Sequence, residues 1–133
     1  MSRSIPTPIL LATLALALAG CGSSTPATTA PDVVRSTETF TGTLSAHSSM
    51  WHPFAVAQTG QLEVKLTEAN PAVSIGLGVG QVTTGCTLLA YNSAATVGTA
   101  ISGSIQVGSY CVSVYDVGTL TDPVNYTVTV THP

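Results

Sequence analysis

Charge is what this chain has least of. Of its 133 residues, 3 are Lys or Arg and 6 are Asp or Glu, so charged side chains make up 7%, against about 25% in an ordinary soluble domain. A solvated helical bundle needs Lys and Glu on its exposed faces, and Lys65 is the only lysine here. The formal net charge of −3 excludes a nucleic-acid binder, because no basic patch exists to neutralise phosphates. A charged, disordered chain is excluded by the opposite quality: 44% of residues are hydrophobic and mean hydropathy is +0.43. Aromatics reach only 5%. No stretch after Cys21 keeps a helical period.

The first twenty residues read as an export signal. Arg3 supplies the positive start, and an apolar run from Ile9 to Ala19 follows, of a length that suits a signal core. A membrane-spanning helix needs about 20 apolar residues, and Gly20-Cys21-Gly22-Ser23-Ser24 ends the run too soon. The junction Leu18-Ala19-Gly20-Cys21 resembles the bacterial lipobox. That resemblance implies that the Cys21 thiol carries a diacylglyceryl group, that cleavage precedes it, and that Cys21 becomes the acylated first residue, held to the lipid bilayer by two or three chains. Gly22, in the place where Asp resembles an inner-membrane retention signal, points in a Gram-negative cell to the outer membrane.

Three cysteines less Cys21 leave Cys86 and Cys111. In an exported chain two thiols are expected to pair, and closing their loop in the unfolded state contributes roughly 3.5 kcal/mol in the chain-entropy view. Zinc is disfavoured, since neither cysteine belongs to a Cys-x-x-Cys pair. Between Gly22 and Pro31 there is no periodicity and no large apolar residue. That segment reads as a tether of at most about 31 Å. The expected organisation is a lipoprotein signal peptide over 1–20, a lipidated Cys and flexible tether over 21–36, and one folded domain over 37–133.

The domain has a period of two. Leu62, Val64 and Leu66 alternate with Glu63 and Lys65, and Phe54 and Val56 precede them. Thr59-Gly60 between these runs predicts a tight hairpin. Val73, Ile75, Leu77 and Val79 alternate with Ser74, Gly76, Gly78 and Gly80, where the glycines make room for a neighbouring strand or side chain. Ile101, Gly103 and Ile105 share a face, as do Tyr110, Val112 and Val114, and Tyr126, Val128 and Val130. With runs at Glu38–Leu44 and Cys86–Asn92, the chain predicts an all-β, antiparallel, jelly-roll-like β-sandwich of about eight strands with one disulfide. A single sheet leaves its apolar face wet, so two must stack.

The order of Phe40-Thr41-Gly42-Thr43-Leu44, Trp51-His52-Pro53-Phe54, Gly108-Ser109-Tyr110-Cys111-Val112-Ser113-Val114 and Tyr126-Thr127-Val128-Thr129-Val130 resembles the bacterial pre-peptidase C-terminal domain family. The resemblance implies a jelly-roll-like sandwich that works beside secreted peptidases. Trp51-His52 stands where relatives often carry an acidic pair, so a calcium role does not carry over.

Chemistry-bearing motifs are scarce. There is no G-x-S-x-G elbow and no H-E-x-x-H, and Ser102-Gly103-Ser104 has no His or Asp close by in sequence. His47 and His52 are five apart, which in a strand points them to opposite faces. His52 beside Pro53 suits a strand edge, and the penultimate His132 is expected to fray. Asp116 and Asp122 flank a loop and are expected to serve turns. No cofactor and no metal are expected. Trp51, Tyr91 and Tyr115 point outward by alternation and form the candidate ligand platform. The sequence therefore predicts a membrane-anchored, non-catalytic envelope module with a glycan or protein partner. The alternative is a carbohydrate- or polypeptide-binding accessory to a secreted hydrolase. A small hydrolase comes third.

Overall fold

Eight alternating runs become eight strands in the computed structural model, which describes residues 32–133 and Gly22. They are β1 (Ser36–Leu44), β2 (Ser49–Val56), β3 (Gly60–Asn70), β4 (Ile75–Val82), β5 (Cys86–Ala95), β6 (Ala100–Ile105), β7 (Gly108–Tyr115) and β8 (Val124–His132). One sheet has the order β1-β8-β3-β6 and the other β2-β7-β4-β5. Every pairing is antiparallel. This is the strand order of an eight-stranded jelly roll. Among consecutive strands only β4 and β5 pair with one another; every other connection crosses to the opposite sheet.

The apolar phases meet between the sheets. Leu44, Val64, Leu66, Val124, Tyr126, Val128 and Val130 face inward from one side, and Phe54, Ile75, Leu77, Val112 and Val114 from the other, all buried. Each such aliphatic side chain contributes about 1.5–3 kcal/mol on burial. Leu120 closes one end of the core from the loop before β8. The strict alternation of β3 breaks between Leu66 and Glu68, where the register against β8 shifts. Thr67 is the extra residue, so Ala69 rather than Glu68 turns inward.

The hairpin expected at Thr59-Gly60 does not form. β2 pairs with β7 and β3 with β6 and β8, in different sheets. The reason lies in the faces: Phe54 and Leu62 cover the same core from opposite sides, which a flat hairpin forbids. Gly60 has no positive φ; among the described glycines that conformation belongs to Gly98 and Gly118. What Gly60 provides is space, since a Cβ there stands 2.5 Å from Cγ of Pro133. Val73, expected at the head of a strand, lies before β4 and packs against the core from the connection.

The disulfide Cys86–Cys111 forms, with Cα atoms 5.7 Å apart. It joins β5 to β7 across the intervening β4, and the glycines of β4 make that crossing feasible. Gly80 has the Thr87 carbonyl oxygen directly over its face, with Leu88 Cα 2.8 Å from where a Cβ would stand. The start of β5 thus folds onto the outer face of β4 and brings Cys86 to Cys111. The side-chain methyls of Leu88 cover Gly78, and the Tyr115 ring covers Gly76.

Candidate functional site

The expected signal peptide, the lipobox-like Leu18-Ala19-Gly20-Cys21 and most of the expected tether lie outside the described residues. Among the residues that are described, three places carry chemistry: the outer face of the β2-β7-β4-β5 sheet, the closed flank between β1 and β2, and the open flank between β5 and β6.

The outer face carries the three aromatics that the sequence expects to point outward. Register aligns Trp51 with Ser113, Ser113 with Gly78, and Gly78 with Tyr91, so Trp51 and Tyr91 end one row across four strands. Three strand spacings put their backbones about 14 Å apart. Trp51 is 43% and Tyr91 66% exposed. Tyr115 lies in the next row, opposite Ser49 and Gly76, and is half-buried because its ring lies on Gly76. The structure therefore brings all three to one face, with small residues between the two exposed rings. The glycines make no empty groove, since Tyr115, Leu88 and Thr87 fill the space they leave.

On the closed flank, β1 and β2 are the edge strands of opposite sheets. His52 is on an edge strand, as its neighbour Pro53 implies, yet its ring turns inward. It stacks on Phe40 with centroids 5.0 Å apart, and its Nε2 lies 2.8 Å from the Tyr126 hydroxyl of the other sheet. Burial lowers the His52 pKa below its ordinary 6.5, because a charged imidazole loses hydration there. Burial likewise raises that of Tyr126 above 10.0.

His132 corrects an expectation. It does not fray: it closes β8, is 4% exposed, and stands 2.9 Å from Glu38 Oε1 through Nε2 and 2.9 Å from the Pro133 carbonyl through Nδ1. Its ring also meets that of Phe54 at 5.3 Å. The signal was present in the phases. Glu38 lies two residues before Phe40 on the inward face of β1, and His132 two after Val130 on that of β8, so both were placed inside. His47 sits apart in the turn after β1 with φ of 56°, and the His47 amide donates to Asp116 Oδ2 at 2.8 Å. Asp116 Oδ1 accepts from the amides of Gly118, Thr119 and Leu120 at 2.9, 3.0 and 3.2 Å. These donors hold the Asp116 carboxyl below its usual range, the His47 amide contributing most. Asp116 thus serves turns, as expected, and ties two loops together. Asp122 Oδ2 accepts from the Thr121 hydroxyl at 3.1 Å. Among the described residues no three His, Cys, Asp or Glu side chains converge as a metal-holding group.

The open flank has no marker in any single run of the sequence. A cavity of about 360 Å³ opens between β5 and β6, with Leu62, Val79, Ile101, Ile105 and Tyr110 below and Gln81, Ser102, Ser104 and Gln106 around it. The sequence did show Gly103 in phase with two isoleucines. It did not show that the strand facing it leaves the gap unfilled, because pairing between sheets is not written in either run alone.

Fold and disulfide together define a small cystine-bridged jelly-roll domain with an aromatic outer face and one open flank. No protein-family model matches the chain, and no curated protein matches it.

Proposed function

We propose that the chain is a membrane-anchored bacterial lipoprotein of the cell envelope, whose β-sandwich is a non-catalytic binding or structural module. The observation that carries this reading is Leu18-Ala19-Gly20-Cys21 directly behind an apolar run ended by glycine. Acyl chains on Cys21 hold the product to the bilayer, and the tether keeps the domain within about 31 Å of it. In a Gram-negative cell, Gly22 directs it to the outer membrane. The Cys86–Cys111 bridge supports export, since such bonds persist in oxidising compartments. The non-catalytic reading is supported by where the reactive groups are spent. His52 and His132 are engaged between the sheets with Tyr126 and Glu38, and both Asp116 oxygens accept backbone amides.

Metabolic labelling tests the anchor. Cells fed labelled palmitate should label the protein, and a Cys21→Ala variant should carry no label and leave the membrane fraction. Label on the variant, or none on the parent, overturns the reading.

A second reading, an accessory module that binds carbohydrate or polypeptide for a secreted hydrolase, is favoured by Trp51, Tyr91 and Tyr115 sharing one face, and by the resemblance to the pre-peptidase C-terminal domain family. Sugar rings stack on such exposed aromatics. A glycan array with the parent chain and a Trp51→Ala variant tests it: binding lost with Trp51 supports the platform, and binding absent or unchanged removes it.

A further inference from the structure

The two flanks of the sandwich are built differently. At the closed flank, Phe40, His52, Phe54 and His132 fill the space between the sheets. Both edges there carry devices that discourage a further strand: Pro53 on β2, and Glu38 turned inward on β1. At the open flank, β5 and β6 contain no charged residue and no proline. The β6 register against β3 runs unbroken from Lys65↔Ala100 to Gly60↔Ile105, with no bulge to twist the edge away. Among the described residues, the outward backbone row of β6 is thus unbroken, neutral and paired with no further strand.

Beneath that edge the core lacks one side chain. Gly103 lies opposite Leu62, in phase with the inward Ile101 and Ile105. A Cβ built on it meets nothing within 4 Å. The glycine is not there for its backbone, since its φ is not positive. Nor does it admit a neighbour, as Gly76, Gly78 and Gly80 do. An aliphatic side chain in this phase would lie toward the core beside Ile101 and Ile105; instead a cavity of about 360 Å³ stands open.

We infer that this flank binds an extended, uncharged polypeptide segment of a partner, which pairs with β6 and seats one apolar side chain over Gly103. An edge of unpaired N–H and C=O groups is matched by another extended backbone. Such a backbone delivers every second side chain to the same face, which is how an apolar group reaches a gap lying just inside an edge strand. The lining has hydroxyls and amides but no charge, so a charged side chain entering it loses hydration without a counter-ion. The inference rests on the domain being a binding module and adds the site and the chemical class of its partner.

The test uses the full chain in detergent micelles and an acetylated, amidated octapeptide alternating threonine with leucine. Calorimetry and amide shifts are the readouts. Saturable binding is expected, with shifts confined to Ala100–Gln106, Leu62 and their β5 neighbours. The same peptide with glycine or lysine in place of leucine should bind at least tenfold more weakly. Gly103→Leu, which fills the gap from within, should weaken the leucine peptide at least tenfold, and Gly103→Ala should weaken it less, both with native-like amide spectra. Absence of saturable binding, affinity indifferent to both substitutions, or shifts centred on Trp51 and Tyr91 overturns the inference. So does dimerisation through β6 in the absence of peptide, which makes a second copy the occupant, or a neutral oligosaccharide shifting the same residues. Peptide failure alongside glycan binding at the aromatic face leaves the binding module standing and removes only this site.

Discussion

A single methyl group at Gly80 tests the packing logic of the domain. The space that a Cβ would occupy there is taken by backbone: the Thr87 carbonyl oxygen first, then the Thr87 carbonyl carbon and Leu88 Cα. No rotamer change relieves such a contact, so the start of β5 must lift from β4. It is held down on the far side by the Cys86–Cys111 bridge to β7. Overpacking costs about 1–3 kcal/mol in general, and this position belongs at the upper limit, about 3 kcal/mol. Replacing a strand glycine by alanine returns about 0.5–1 kcal/mol of backbone entropy. The net loss for Gly80→Ala is then about 2 kcal/mol, which for a domain near 100 residues lowers Tm by roughly 8–16 °C. Gly103→Ala is the control, because its methyl enters open space. It keeps the entropy gain and should melt slightly higher than the parent. Thermal unfolding followed by circular dichroism, without reductant, reads both. A reductant should shrink the Gly80→Ala penalty, since β5 is then free to lift. If the two variants melt together, the idea that β4 glycines seat the start of β5 is wrong.

Other outcomes follow from the same contacts. Replacing Cys86 and Cys111 together by alanine should lower stability by about 3.5 kcal/mol, read as an earlier urea midpoint. Asp116 has a depressed pKa in the folded chain, so it supplies stability that is fully present above its unfolded value near 3.8 and is lost as pH falls through the lower folded value. Asp116→Asn should therefore flatten the acid limb of the stability–pH curve below that point while leaving other carboxylates to act. Trp51→Ala and Tyr91→Ala, both on the outer face, should each change stability by no more than about 0.5 kcal/mol, or about 1 kcal/mol together. A larger loss by urea titration would make these rings structural supports rather than a platform.

Much of the fold was legible because strands announce themselves by phase. The runs through Leu62, Val64 and Leu66 and through Tyr126, Val128 and Val130 gave both the strands and their inward faces. The glycines of β4 were legible as space-makers, and the cysteine pair by subtraction. Partnership was not legible. Phase says which side of a strand is wet, not which strand lies beside it, so Thr59-Gly60 read as a hairpin although β2 and β3 belong to different sheets. The place of His132 near the end of the sequence suggests a frayed residue, but its phase with Val128 and Val130 puts it inside. The bulge at Thr67 hid from alternation for a related reason: an extra residue changes phase without changing composition. The aromatic face was legible as outward-pointing residues, and only register showed Trp51 and Tyr91 in one row. The open flank needed both sheets at once.

The most direct measurement is the intact mass, with fragmentation of the first peptide, of the protein purified from its membrane. The account predicts a chain that begins at Cys21, with a diacylglyceryl group on its sulfur and a third acyl chain or a free amine on its nitrogen. A product that begins elsewhere, or that carries a bare thiol at Cys21, contradicts it.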